Sequence, residues 1–135
     1  MRISVFGPRI EYEDSSFLDQ KIDEIIDAIR QDSPEPIVFL WGGAKGVQSY
    51  IKEYLQDDFD FILFKPWTML SPEVSKLATR GGSFNSKYFF YRNKQIISNS
   101  DKVIIFDNSQ KDGEIDNVKS LCSLLNKEVI LERID

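Results

Sequence analysis

The chain has 135 residues, of which 41% are hydrophobic and 29% are charged, and its formal net charge is -5. This length and this balance are typical of one soluble globular domain with its own core. The single cysteine and the lack of histidine exclude an internal disulfide, a Cys/His zinc site and catalysis through imidazole. The negative charge disfavours broad binding to nucleic acid, whose affinity depends on Lys and Arg at phosphates.

The first half of the chain alternates short apolar runs with helical periodicity. Residues 2–6 predict a strand that ends at the G-P-R of residues 7–9. A helical stripe follows, and prolines end it: Leu18, Ile22, Ile25, Ile26 and Ile29. Residues 37–41 are continuously apolar, as in a strand buried on both faces. A second helical stripe then comprises Val47, Tyr50, Ile51, Tyr54 and Leu55, and residues 59–64 predict a third strand.

The second half begins with a long connection, residues 65–86, of a length that is usually functional or partly helical in a compact domain. The next helix has Phe89, Asn93, Ile96 and Ile97 on one face. A buried strand at 103–106 and a polar loop at 108–113 follow. The last helix carries Ile115, Val118, Cys122 and Leu125, and residues 129–134 predict the last strand.

Strands that alternate with helices predict an α/β fold, a mostly parallel five-stranded sheet covered by helices on both faces. No linker or repeat divides residues 1–135, so we predict one domain. No apolar run is long enough to span a bilayer, and no basic-then-apolar leader opens the sequence. These features predict a cytoplasmic chain with no membrane partner.

The stretch V-F-L-W-G-G-A-K-G-V at residues 38–47 places three glycines between a strand and a helix. In such sheets, ligands lie at the carboxyl ends of the strands, where segments 7–9, 42–46 and 107–113 are predicted to meet. The amide groups of the helix that Gly46 opens, together with Lys45, would form an anion seat. The alternative is a tight turn without a ligand. The spacing matches neither a Rossmann fingerprint nor a P-loop.

Two polar residues stand out in the fourth predicted helix, Y-F-F-Y-R-N-K-Q-I-I. Asn93 lies on the apolar face, so its side chain needs a hydrogen-bond partner. It either caps a neighbouring loop or helix end from inside the protein, or helps to build the pocket. Arg92, at the edge of that face, suits phosphate or carboxylate recognition, the alternative being an ordinary surface arginine.

These segments together resemble the SLOG superfamily, most closely its small single-domain branch of YspA- and YpsA-like proteins. The resemblance rests on G-P-R after strand one, G-G-A-K-G-V before a helix, P-W after strand three and R-N-K-x-I-x-x-x-S-D-K-V-I-I-F. It implies a Rossmann-like three-layer sandwich that binds a nucleotide or nucleotide-derived ligand. We expect no resident metal or cofactor. Where many relatives carry an Asp after the glycine loop, this chain has Gln48.

The superfamily also includes LOG-like enzymes, which cleave a base from a nucleoside monophosphate. Arg92 matches the arginine of those enzymes. Their P-G-G-x-G-T-x-x-E loop corresponds here to residues 107–116, which match that motif at only a few positions. The resemblance therefore offers Arg92 and Asp116 as catalytic candidates, with Asp116 stabilising an oxocarbenium-like ribose or activating water. The alternative for Asp116 is a solvated acid that the helix dipole favours.

The ligand-binding candidates comprise Gly7, Arg9, Gly42, Gly43, Ala44, Lys45, Gly46, Trp67, Arg92, Asn93, Asp107 and Gly113. Trp67 would stack on a base or pack beneath the long connection. A helix would spread the aromatic run at residues 88–91 round its circumference, which indicates either cover by the 65–86 connection or a partner subunit, and we favour a homodimer. Three hypotheses follow: a nucleotide-binding module, an N-glycosidic hydrolase or transferase, and a non-catalytic interaction protein. One relative in the superfamily binds single-stranded DNA, but the acidic balance argues against that role here.

Overall fold

The computed structural model describes residues 1–9, 12, 14–64 and 87–135, and the side chains of the last range from residue 90 onward. Within these residues, strands and helices alternate in the predicted order. The elements are β1 (Arg2–Phe6), α1 (Ser16–Asp32), β2 (Val38–Trp41), α2 (Val47–Leu55), β3 (Asp60–Leu63), α3 (Lys87–Ser98), β4 (Lys102–Asp107), α4 (Gly113–Leu124) and β5 (Glu128–Arg133). Predictions about residues 65–86 lie outside the described residues.

The strands of the described residues form one five-stranded sheet in the order β3-β2-β1-β4-β5. Every pair of neighbouring strands is parallel. Ser4 of β1 lies opposite Leu40 of β2 on one side and Val103 of β4 on the other. The chain thus builds outward from β1 through β2 to β3, and then crosses back to place β4 against the other edge of β1. This crossover creates a switch point between β1 and β4.

Helices cover both faces of the sheet, so the predicted α/β class is confirmed as a Rossmann-like three-layer sandwich. The apolar sides of α1 and α2 pack on one face, against residues that include Ile3, Phe39 and Ile104. On the opposite face, α3 and α4 pack against Leu40 and Ile105, among others. Successive residues of β4 therefore enter different cores, which explains why its sequence is apolar without a break.

The periodicity of the helices predicted most of their buried positions, but Tyr54 of the predicted α2 stripe is 38% exposed, and the side chain of Phe89 lies outside the described ones. Leu18, Ile22, Ile25, Ile26 and Ile29 of α1 are all buried. In α3, Asn93 is buried together with Ile96 and Ile97, as its position on their face predicted. Each buried aliphatic side chain contributes about 1.5–3 kcal/mol. Among the described helices, none is both long enough and apolar enough to cross a bilayer.

Candidate functional site

The predicted ligand segments lie at the carboxyl ends of β1, β2 and β4. The turn after β1 contains Gly7 and Arg9, the glycine loop joins β2 to α2, and the loop after β4 leads into α4. Since β1 and β4 are neighbours in the sheet, the first and last of these segments meet at the switch point. Ligands of open α/β sheets lie in the crevice at such a point.

Arg92 is the central side chain of this region. It reaches inward from α3, and its side chain is only 2% exposed. Nη1 donates to the carbonyl oxygen of Gly42 at 3.1 Å, while Nε and Nη2 donate to Oδ1 of Asn93 at 3.2 and 3.0 Å. Burial lowers the pKa of the Arg92 guanidinium, and the charge of the Glu114 carboxylate opposes that shift. Arg92 is therefore a buried cation held by several acceptors rather than a surface arginine.

Glu114 joins this cluster from the first turn of α4. Its Oε1 accepts hydrogen bonds from Nη2 of Arg92 at 3.0 Å and Nδ2 of Asn93 at 3.3 Å. Its Oε2 accepts one from Nε of Arg9 at 2.9 Å. The carboxylate thus connects the turn after β1 with α3. The sequence reasoning missed Glu114, although an acid in a first helical turn beside a ligand loop was a usable signal.

Two glycines of the glycine loop make room for other parts of the protein. A Cβ atom at Gly42 would lie 2.5 Å from Nε of Arg92. At Gly46 the φ angle is +86°, and a Cβ atom would lie 2.5 Å from the carbonyl oxygen of Pro8. Only glycine fits there without a shift of the backbone. The loop therefore packs tightly against the turn after β1 at one end and against Arg92 at the other.

Gln48 fastens the glycine loop to β1. Its Oε1 accepts hydrogen bonds from the backbone N–H groups of Gly42 at 3.3 Å and Ala44 at 3.0 Å. Its Nε2 donates to the carbonyl oxygen of Val5 at 2.6 Å. The sequence reasoning treated Gln48 only as a departure from the family pattern and missed this role. Because the side chain satisfies two loop amides, those amides are already engaged within the protein.

The start of α2 is engaged in part as well. Gly46 is its N-cap residue, as predicted, and the N–H group of Val47 donates to the carbonyl oxygen of Pro8 at 3.1 Å. Lys45 is exposed beside this helix start. The positive end of the helix dipole and the Lys45 ammonium group remain the features of this loop that attract an anion.

A cavity of about 690 Å³ lies beside the glycine loop, between the first turns of α1 and α2. Its wall includes Tyr12, Asp14, Asp19, Lys45, Tyr50 and Glu53. The Tyr50 hydroxyl donates to Oδ1 of Asp19 at 2.8 Å, and burial followed by this bond raises the pKa of Tyr50 to about 12. The volume suits a small molecule. Carboxylates in its wall accept hydrogen bonds from hydroxyl or amino groups and repel phosphate.

The remaining candidates have different surroundings. Oδ2 of Asp107 pairs with Nζ of Lys119 at 2.6 Å, so this carboxylate already has a partner. Asp116 is exposed, and among the described residues the carboxylate that contacts Arg92 is that of Glu114. Residues two positions apart on a helix do not share a face, so Asp116 points elsewhere. Gly113 is the first residue of α4. Trp67 lies outside the described residues.

Comparisons with known proteins do not assign this chain to a family: no protein-family model, no curated protein and no solved structure matches it. The SLOG resemblance therefore stays a prediction. Within the described residues, no group of three or more His, Cys, Asp or Glu side chains is placed to hold a metal ion.

Proposed function

We propose that this chain binds a nucleotide or nucleotide-derived ligand at the carboxyl ends of its strands. The observation that carries the proposal is the meeting of Arg9 and Arg92 on one carboxylate at the switch point between β1 and β4. Both arginines lie where the carboxyl ends of β1 and β4 meet, and guanidinium N–H groups donate to carboxylate and phosphate oxygens alike. Such a place attracts a phosphate group.

The cavity beside the glycine loop supports the same proposal. Gly42 adjoins Arg92, and Gly46 lines the cavity, so one short loop connects the arginine cluster with the cavity. A ligand with a phosphate at one end and hydroxyl or amino groups at the other would suit both features, the phosphate at the arginine cluster and the hydroxyl or amino groups at the carboxylates of the cavity. Nucleotides are ligands of that kind.

Thermal unfolding in the presence of nucleotides, cyclic nucleotides, nucleotide sugars and dinucleotides tests the proposal. A ligand at a hundred times its Kd stabilises the folded state by about 2.7 kcal/mol. For a domain of this size, that is a rise in Tm of several degrees. The variants Arg9→Gln and Lys45→Gln should reduce the rise, whereas Lys94→Gln, an exposed change on α3, should leave it intact. A flat panel, or equal responses from all three variants, would contradict the proposal.

Hydrolysis of an N-glycosidic bond is a second candidate, favoured by the contact between Glu114 and Arg92. A carboxylate at a nucleotide site can stabilise an oxocarbenium-like transition state or activate water. Base release from nucleoside monophosphates should then be lost in Glu114→Gln. Asp116→Asn is the parallel test of the residue that the resemblance indicates. No base release across a broad nucleotide panel would count against this candidate.

We also propose that the chain forms a homodimer. Phe90 and Tyr91 of α3 are 41% and 53% exposed. Neighbouring aromatic residues on a surface commonly mark an interface. Self-association would place this pair of rings against the second copy, and it is compatible with either candidate function.

A further inference from the structure

We propose that the cavity between the first turns of α1 and α2 receives the sugar of the ligand, that the Asp19 carboxylate recognises the sugar's hydroxyl groups, and that Tyr50 positions Asp19. This inference deepens the proposed function and rests on it, because it takes the sugar and the phosphate to belong to one ligand. Asp19 is then the residue that selects a ligand with ribose-like hydroxyl groups over one without them.

The cavity has the size and the mixed wall that a sugar requires. Its volume of about 690 Å³ lies in the range of small-molecule sites. Acceptors come from the carboxylates of Asp14, Asp19 and Glu53, and donors come from the Lys45 ammonium group and the Ser49 hydroxyl. A sugar hydroxyl both donates and accepts, so it uses both kinds of group. A phosphate would meet the like charge of the carboxylates, and an organic ammonium would meet that of Lys45.

Among the three carboxylates, Asp19 is the one that α2 holds in place. Its Oδ1 accepts a hydrogen bond from the Tyr50 hydroxyl at 2.8 Å, and both residues are half-buried. Asp14 and Glu53 are exposed. Within the part of the chain that the structure describes, Oδ2 of Asp19 accepts no hydrogen bond, so it can accept one from a ligand. An acceptor that is already fixed loses little freedom when the ligand binds.

Tyr50 keeps this acceptor oriented. Burial, followed by the bond to Asp19, raises the pKa of Tyr50 to about 12, so the phenol retains its proton at neutral pH. The charges of Asp19 and Asp14 contribute to the same shift, so both carboxylates act on the phenol. The Tyr50 hydroxyl thus occupies one oxygen of Asp19 and leaves the other to the ligand.

The turn after β1 borders the same cavity. Gly46 lines the cavity, and a Cβ atom on Gly46 would lie 2.6 Å from Cα of Arg9. A sugar in the cavity and a phosphate at the carboxyl end of β1 would therefore be neighbours. A sugar phosphate has its two parts arranged in this way.

A second Tyr–Asp pair between α1 and α2 provides a matched control. The Tyr54 hydroxyl donates to Oδ2 of Asp23 at 2.7 Å, one turn further along both helices. Tyr54 and Asp23 line a separate cavity of about 330 Å³, whereas Tyr50 and Asp19 line the larger one. If the two pairs only join the helices, they are equivalent for every ligand. If Asp19 recognises a sugar, its pair alone affects binding.

The test is a thermal-unfolding titration with ribose 5-phosphate and with tetrahydrofurfuryl phosphate, which has a similar ring and phosphate but no ring hydroxyls. We expect the wild-type chain to bind ribose 5-phosphate about tenfold more tightly or more, since each hydroxyl can donate to a charged acceptor. In Asp19→Asn, which keeps an oxygen for Tyr50 but loses the charge, this preference should fall to about threefold or less. Asp23→Asn should keep the full preference.

Tyr50→Phe tests the positioning role. It leaves the Asp19 carboxylate in the cavity but frees it to rotate, so the preference for ribose 5-phosphate should fall by about threefold or more, with the affinity for tetrahydrofurfuryl phosphate unchanged. Tyr54→Phe should behave as the wild-type chain does. The proposal is overturned if the wild-type chain shows no preference, if it does not bind ribose 5-phosphate, or if Asp19→Asn keeps the full preference.

A parallel titration with AMP, GMP, CMP and UMP separates this inference from the proposed function. If a nucleotide binds the wild-type chain but Asp19→Asn keeps the full preference for ribose 5-phosphate, the sugar site is wrong and nucleotide binding stands. If the preference depends on Asp19 and no nucleotide binds, the sugar site stands and the nucleotide proposal is wrong.

Discussion

Single side chains connect the three loops at the carboxyl edge of the sheet. Gln48 joins the glycine loop to β1, and Glu114 joins the turn after β1 to α3. Arg92 reaches from α3 to the carbonyl oxygen of Gly42. Buried polar groups such as these stabilise the protein only when each has a partner, so the loss of one member leaves others unsatisfied.

Gly42→Ala should destabilise the protein. A Cβ atom would lie 2.5 to 2.8 Å from three atoms of the Arg92 side chain, so the buried guanidinium would have to shift. We expect a loss of about 1–3 kcal/mol in the free energy of unfolding, measured in urea. Gly113→Ala is the control, because nothing lies within 4 Å of its added Cβ atom. That variant should be unchanged or slightly more stable, and equal losses in both would contradict the argument.

Gln48→Met should also destabilise the protein, since methionine has a similar shape and none of the hydrogen bonds. The backbone groups of Val5, Gly42 and Ala44 would each lose a partner. We expect a loss of about 2–4 kcal/mol in the same urea assay. Gln56→Met, at an exposed position at the end of α2, should change stability by less than about 0.5 kcal/mol. A Gln48 variant as stable as the wild-type chain would refute the fastening role.

At the level of secondary elements, two Tyr–Asp hydrogen bonds join α1 to α2. The hydroxyls of Tyr50 and Tyr54 donate to Asp19 and Asp23 at 2.8 and 2.7 Å. The pairs are four residues apart on each helix, so both lie along one line between the helices. Each bond exists only while the phenol keeps its proton, which makes the packing of α1 on α2 sensitive to alkaline pH.

Stability should fall between pH 10 and pH 12. Burial and then the bond to Asp19 raise the pKa of Tyr50 from 10.0 to about 12. The bond to Asp23 is the main reason why the pKa of Tyr54 is raised from 10.0 to about 12. In that window the unfolded chain releases phenol protons that the folded chain retains, so rising pH favours unfolding.

The double variant Tyr50→Phe, Tyr54→Phe should lose less stability between pH 10 and pH 12 than the wild-type chain, as measured by urea unfolding at both values. Tyr91→Phe, an exposed change on α3, should retain the wild-type pH dependence. The same slope in the double variant and in the wild-type chain would show that these two phenols do not carry the effect.

At the scale of the whole molecule, the exposed apolar side chains raise the question of oligomeric state. Several places in the described residues expose large apolar side chains, among them Phe90 and Tyr91 on α3, Ile62 and Leu63 on the edge strand β3, and Val129 and Leu131 on the edge strand β5. The homodimer stays a prediction. We expect sedimentation equilibrium to show a dimer that the pair Phe90→Asp, Tyr91→Asp dissociates and Leu131→Asp does not. A monomeric wild-type chain would refute the prediction, and the opposite response of the variants would place the interface at β5.

Local patterns were enough to predict the order of the elements, the parallel sheet and most of the buried helix positions, Tyr54 of α2 being an exposed exception. Those features depend on residues a few positions apart, such as Ile22, Ile25 and Ile29, whose spacing is visible in the sequence. The position of Asn93 on an apolar face likewise predicted a buried polar group in need of partners.

The partners of these groups depended on the tertiary fold. Arg92 and Glu114 are 22 residues apart, Gln48 and Val5 are 43 apart, and Arg9 and Glu114 are 105 apart. Sequence periodicity does not relate positions so far apart. The strand order β3-β2-β1-β4-β5 is what brings them together. The three glycine-bearing loops could thus be predicted to share one edge of the sheet. That Glu114, and not Asp116, meets Arg92 follows from the rotation of α4 as it packs on that sheet.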